Sequence, residues 1–156
     1  MEVLIIDGSP RIKSNSNILI EEMTKVFSQN HVEVEIVHIG TKPIQGCIAC
    51  GHCKKHEGCA FHDIVNETAS KFMHSDGLIV VSPTYFASPN GSLISFLDRL
   101  FYSRYYDVRM KAAASFAIAR RGGSESSFDV LNKYFTISGM PIVSGDYWNK
   151  IGRAHV

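Results

Sequence analysis

All four cysteines of this 156-residue chain, Cys47, Cys50, Cys53 and Cys59, fall within the stretch CIACGHCKKHEGC. Thiols this crowded can form a disulfide clasp, ligate zinc, ligate an iron–sulfur cluster, or stay free. Composition narrows the choice. A hydrophobic content of 45% with 20% charged residues is that of a soluble globular domain, and a formal charge of +1 gives no electrostatic case for nucleic acid or an anionic membrane. No apolar run approaches the roughly 20 residues of a membrane-spanning helix. The opening MEVLIIDGSP reads as a strand and not as a secretion signal. A cytoplasmic location is therefore expected, where clustered cysteines more often bind metal or do redox chemistry than form staples.

The spacing C-x2-C-x2-C puts three sulfurs on one tight loop, as in bacterial ferredoxins. Zinc sites more often use two separated C-x2-C pairs. Here the fourth thiol follows too soon for a second knuckle. His52, His56 and His62 could replace a thiolate and keep zinc open, although each also reads as a loop surface residue. Lys54 and Lys55 would offset part of the negative charge of metal-bound thiolates. Unoccupied, reduced thiols are the third alternative.

Three further stretches could do chemistry. GSPRIKSNSN (8–17) follows an apolar strand and precedes a helix, where a phosphate can use free backbone N–H groups and the positive end of the helix dipole. Neither GxGxxG nor GxxxxGK[ST] is present, which argues against a wrapped dinucleotide and a nucleoside triphosphate. Ser9, Ser14, Asn15 and Ser16, with Arg11 beside them, suit a single terminal phosphomonoester, although Ser and Asn here also serve as helix caps. In SPTYFASPNG (82–91), two prolines stiffen a loop with Tyr85 and Phe86 at its tip. That loop could hold a flat heterocycle or simply cover the core. ARRGGSES (119–126) offers two glycines for close backbone approach and two arginines that could equally be solvated. A phosphate cradle, an aromatic wall and a polar lip together fit flavin mononucleotide (FMN).

The elements that must position these loops alternate. Apolar runs at 3–7, 32–39, 77–83, 113–119 and 140–145 read as strands, the second an alternating edge strand. Helical spacing covers 16–29, 63–74, 92–104 and 125–138, with Ser14, Asn15 or Ser16 and Asp63 as caps. Strand–helix alternation with right-handed crossovers predicts one α/β domain over 1–150, a doubly wound parallel sheet with helices on both faces. The cysteines occupy its longest connection, 40–62, and are expected on the same sheet edge as the other loops. The closing IGRAHV has no helical pattern and corresponds to one reading frame of a common sequencing adapter. Residues 151–156 are therefore expected to be a non-native tail, with the helix that should cover the fifth strand missing.

GSPRIKSNSN, SPTYFASPNGSLISFLDR and ARRGG together resemble the flavodoxin-like NAD(P)H-dependent FMN reductase superfamily, over nearly the whole chain to about Asn149. The resemblance implies a five-stranded parallel sheet in the order 2-1-3-4-5, usually in homodimers or homotetramers. It implies that Ser9, Arg11, Ser14, Asn15 and Ser16 bind the FMN phosphate, and that Pro83, Thr84, Tyr85 and Phe86 contact the isoalloxazine with Arg120, Gly122 and Gly123. The cysteine spacing is similar to that of the iron–sulfur flavoprotein subgroup. There the four thiolates hold a [4Fe–4S] cluster near the FMN of a neighbouring subunit. The implied function is an FMN-dependent oxidoreductase with NAD(P)H as a possible electron donor, acting on a redox partner or a small-molecule electron acceptor. The alternatives are a cluster-free FMN or quinone reductase, and a non-enzymatic electron carrier or zinc-binding module. No catalytic acid or base is required of any side chain.

Overall fold

The computed structural model describes residues 1–152. Its elements are β1 (Glu2–Asp7), α1 (Asn15–Gln29), β2 (Glu33–His38), a single 3-10 turn (His52–Lys54), α2 (Ile64–His74), β3 (Gly77–Tyr85), β4 (Ser88–Pro89), α3 (Gly91–Tyr102), β5 (Ala112–Ala119), α4 (Ser124–Ile137) and β6 (Lys150–Gly152). The parallel strands run in the order β2-β1-β3-β5-β6, and the short β4 folds back antiparallel on β3. Counting only the five parallel strands, this is the expected 2-1-3-4-5.

Local chemistry explains the element boundaries. Ser14 caps α1 by accepting from the Asn17 amide, Asp63 caps α2 from Val65, and Asn90 caps α3 from Ser92. β1, β3 and β5 are buried along nearly their whole length because helices cover both faces of the sheet. On one face, Leu4, Ile6, Leu78 and Val80 meet Phe72 of α2, Phe96 and Leu97 of α3, and Leu131 and Phe135 of α4. On the other, Val3, Ile5, Ile79 and Val81 pack under Ile20, with Leu19, Met23 and Phe27 alongside. β2 is the edge strand its alternation predicts, and Ile36 is left exposed there.

The fifth strand departs from expectation. Residues 140–145 do not form it. Ile142 makes one isolated bridge to Ala113, and the chain then swings away before Lys150–Gly152 pairs with Ala117–Ala119. Pro141 accepts from the Ala113 amide but has no N–H to give, so it cannot extend a ladder in both directions. Ile151 and Gly152 belong to β6. The remainder of the tail expected to be non-native, 153–156, lies outside the described residues.

β4 was not anticipated either. It closes a two-residue hairpin in which Phe86 (φ 49°) and Ala87 (φ 57°) both adopt the left-handed conformation. Such turns favour Asn-Gly, so Phe-Ala carries no sequence signal for one.

Candidate functional site

The β1–α1 loop is braced from beneath. The fully buried Asp7 carboxylate accepts from the Ser9 amide (2.9 Å) and pairs with His38 Nδ1 of the neighbouring strand (2.8 Å). The Ser9 hydroxyl accepts from the Arg11 amide and donates to the Arg11 carbonyl, both at 3.2 Å, which folds the loop into a tight turn. Gly8 donates to the Val81 carbonyl and accepts from Asn90 Nδ2 (2.7 Å), tying the first loop to the third. Glycine is required there because a Cβ would lie 2.6 Å from Leu93. The amides of Asn15 and Ser16, first in α1, have no intrahelical carbonyl to serve.

These loops open onto a cleft of about 730 Å³ at the carboxyl ends of the strands, lined by Ser9, Arg11, Ser14, Asn15, Ser16, Pro83, Thr84, Tyr85 and Arg120, with Ile118, Ala119 and Ile151. Ligands of doubly wound sheets bind at this position. The structure thus gathers nine of the twelve residues singled out for FMN. Phe86 stands fully exposed at the hairpin tip, outside the lining. Gly122 and Gly123 also lie outside it, and Gly123 (φ 86°) is packed so that a Cβ would sit 3.0 Å from Ala87. Within the cleft, the Thr84 hydroxyl is buried with no hydrogen-bond partner among the described residues. Neutral donors, two cations without an ion-pair partner among the described residues, Arg11 and Arg120, and an aromatic flank suit a flavin monophosphate.

The cysteines form a second site. Left-handed residues at Ala49 and Gly51 curl the chain so that Cys47, Cys50, Cys53 and Cys59 all line one recess of about 20 Å³, closed by Phe61, Tyr102 and Arg99. All four are free thiols, with Cys47 and Cys50 exposed. Among the described residues, no three Cys, His, Asp or Glu side chains are gathered tightly enough to hold a metal ion. His52 and His56 stack on each other at 4.5 Å on the loop.

Cys59 is the anchored thiol. Asn66 of α2 accepts from its amide (2.8 Å) and donates to its carbonyl (2.9 Å), and Gly58 (φ 78°) leaves room for the Asn66 side chain. Its sulfur accepts from Arg99 Nε at 3.2 Å. Arg99 has no exposed side-chain surface, donates bidentately to Asp63 at 2.7 and 2.8 Å, and reaches the Gln45 carbonyl. Burial works against its charge, but the hydrogen bonds to Asp63 and Cys59 outweigh that and raise the guanidinium pKa above its ordinary value. Sequence reasoning missed Arg99. The available signal was a charged residue flanked by Phe96, Leu97 and Leu100 on a helix that packs into the core.

The position of this recess corrects one expectation. It does not share the sheet edge with the cleft. Arg99, Tyr102 and Ser103 border it, and these stand at the far end of α3 from the loops around the cleft. The two sites have no lining residue in common.

The strand order and the cleft define a flavodoxin-like fold. An NAD(P)H:quinone oxidoreductase from Methanothermobacter marburgensis superposes with a TM-score of 0.77 at 18% identity, over 97% of this chain and 84% of that one. Residues 1–152 match the NADPH-dependent FMN reductase family, and the chain belongs to it, an FMN-binding oxidoreductase. An iron–sulfur flavoprotein of Methanocaldococcus jannaschii is 32% identical over 149 residues, covering 94% of this chain and 77% of the relative. One from Methanosarcina thermophila is 31% identical over 150 residues, covering 94% and 78%.

Proposed function

We propose that this oxidoreductase carries FMN in the cleft and a [4Fe–4S] cluster on Cys47, Cys50, Cys53 and Cys59, and passes electrons between them. The observation that carries the cluster is the convergence of all four thiols on one recess, with a buried guanidinium already donating to a cysteine sulfur. In this reading Arg11 and the loop amides bind the phosphate, while Pro83, Thr84 and Tyr85 flank the ring with Arg120 at its edge. The Thr84 hydroxyl gains a partner on binding. Phe86, Gly122 and Gly123 act from outside the lining, at its rim. Flavin exchanges electrons singly or in pairs whereas a cluster takes one, so the two together couple hydride-type donors such as NAD(P)H to one-electron acceptors.

Cleft and recess lie at opposite ends of α3, a helix of about 18 Å. This supports a homodimer or homotetramer in which the recess of one subunit faces the cleft of another. No helix among the described residues is long and apolar enough to cross a membrane. A cytoplasmic location follows from the reduced state the thiols need. The exposure of Cys47 and Cys50 also suits a second reading, a cluster-free NAD(P)H-dependent FMN or quinone reductase with redox-sensing thiols.

The absorption spectrum of anaerobically purified protein tests the proposal. It predicts flavin bands riding on a broad iron–sulfur shoulder. Flavin without the shoulder, reduced by NAD(P)H, selects the second reading. A chain that takes up no FMN on titration contradicts both.

A further inference from the structure

The polar contacts of Arg99 all lead to the segment that precedes α2. Its Nε donates to Cys59 Sγ (3.2 Å), its two terminal nitrogens grip Asp63, and the same nitrogens reach the carbonyls of Gln45 and Phe61. The guanidinium also stacks over the Phe61 ring, 4.9 Å from its centroid. A buried guanidinium has five N–H donors to satisfy, and a neutral thiol is a poor acceptor for one of them compared with the carbonyls nearby. A sulfur that carries negative charge is a good one.

Location makes the cation consequential. The recess sits beside Tyr102 and Ser103, at the C-terminal and therefore negative end of α3. That end disfavours an anionic group, and a cubane bound by four thiolates is anionic in both of its ordinary redox states. Arg99 is the only buried basic residue among the described residues, and it supplies the opposing charge at the sulfur itself. With Asn66 holding the Cys59 backbone, the fourth ligand is fixed before any group binds.

We propose that Arg99 is a positioning residue for the cysteine site: it seats Cys59 and, through its hydrogen bond to that sulfur, raises the reduction potential of the bound cluster. The inference rests on the cluster reading given above. A hydrogen bond or positive charge at a ligating sulfur stabilises the reduced, more negative state. Asp63 keeps the fork aimed, so the planar geometry matters as well as the charge.

The test compares the anaerobically reconstituted parent with Arg99→Lys and Arg99→Gln. Melting by circular dichroism and FMN affinity report the fold and the remote cleft. Iron content and the cluster midpoint potential report the site. Arg99→Lys is expected to fold and to bind FMN within about twofold of the parent. Its one-electron equilibrium should shift at least tenfold toward the oxidised state, about 59 mV more negative. Arg99→Gln should shift further or lose iron. If both variants fold and retain iron at the parent potential, Arg99 has only a structural role and the inference fails alone. If the parent itself holds no iron, the cluster reading fails and takes this inference with it. Should Arg99→Gln not fold, the potential of Arg99→Lys decides.

Discussion

Single side chains at the two sites differ in what they already do. Ser9 and Ser14 have hydroxyls committed to shaping the loop and capping α1, whereas Arg11 is exposed with its charge free. If Arg11 meets the FMN phosphate, Arg11→Ala removes a charge-assisted hydrogen bond worth about 1.5–3 kcal/mol. FMN affinity should fall about 10- to 100-fold with the melting temperature of the apo-protein unchanged. A fluorescence-quenching titration measures this, and an unchanged affinity would place the phosphate elsewhere. A different residue contributes to the loss of stability at alkaline pH. Tyr106 packs against Phe72 with its hydroxyl buried and unpartnered among the described residues, and burial above all raises its pKa beyond the usual 10.0. Below pH 10 both folded and unfolded chains keep this proton. Above it the unfolded chain loses the proton first, so stability declines as pH rises past 10. Tyr106→Phe should be neutral or stabilising by up to about 1 kcal/mol at pH 7, since an unsatisfied hydroxyl leaves the interior. It should also flatten the decline in melting temperature above pH 10. Tyr134, raised by burial and by its hydrogen bond to Asp98, contributes to the decline that remains.

Among the elements, the β3–β4 hairpin is the strained one. Phe86 and Ala87 hold positive φ without being glycine, at about 1–2 kcal/mol each, beside the cleft they border. Replacing Ala87 by glycine removes that cost and adds about 0.4–1 kcal/mol of unfolded-state entropy. The balance favours Ala87→Gly by roughly 0.5–1 kcal/mol. Chemical denaturation should show a higher midpoint at an unchanged slope, and a lower midpoint would mean the turn is not strained. Elements also show what the sequence could and could not carry. α1 and α2 were readable because Ser14 and Asp63 are strong caps ahead of apolar periodicity. The hairpin was not, because Phe-Ala contradicts the preference of its own turn. Residues 140–145 misled because MPIV looks like a buried strand, while a single bridge to Ala113, made by the Pro141 carbonyl and the Val143 amide around Ile142, is all that joins it to the sheet. Asp7 closes the apolar run 3–7, and its partnership with His38 depends on the register of β1 against β2, which no local pattern encodes.

For the whole molecule, α3 is the shared component. Asn90 at its start joins the first and third loops through Gly8, and Arg99 near its end holds the cysteine segment. The loops around the cleft were readable as a group because a doubly wound sheet brings the ends of its strands to one edge. The placement of the cysteines was not, because a long connection without periodicity can lie along any flank, and here Arg99 draws it down α3. On the proposed function, the assembled protein holds one flavin and one cubane per chain. Iron and FMN determined on the same anaerobically reconstituted sample measure this directly. The expected result is about four irons and one FMN per chain, with the iron lost on Cys50→Ser and the flavin retained. One FMN with less than one iron per chain would contradict it.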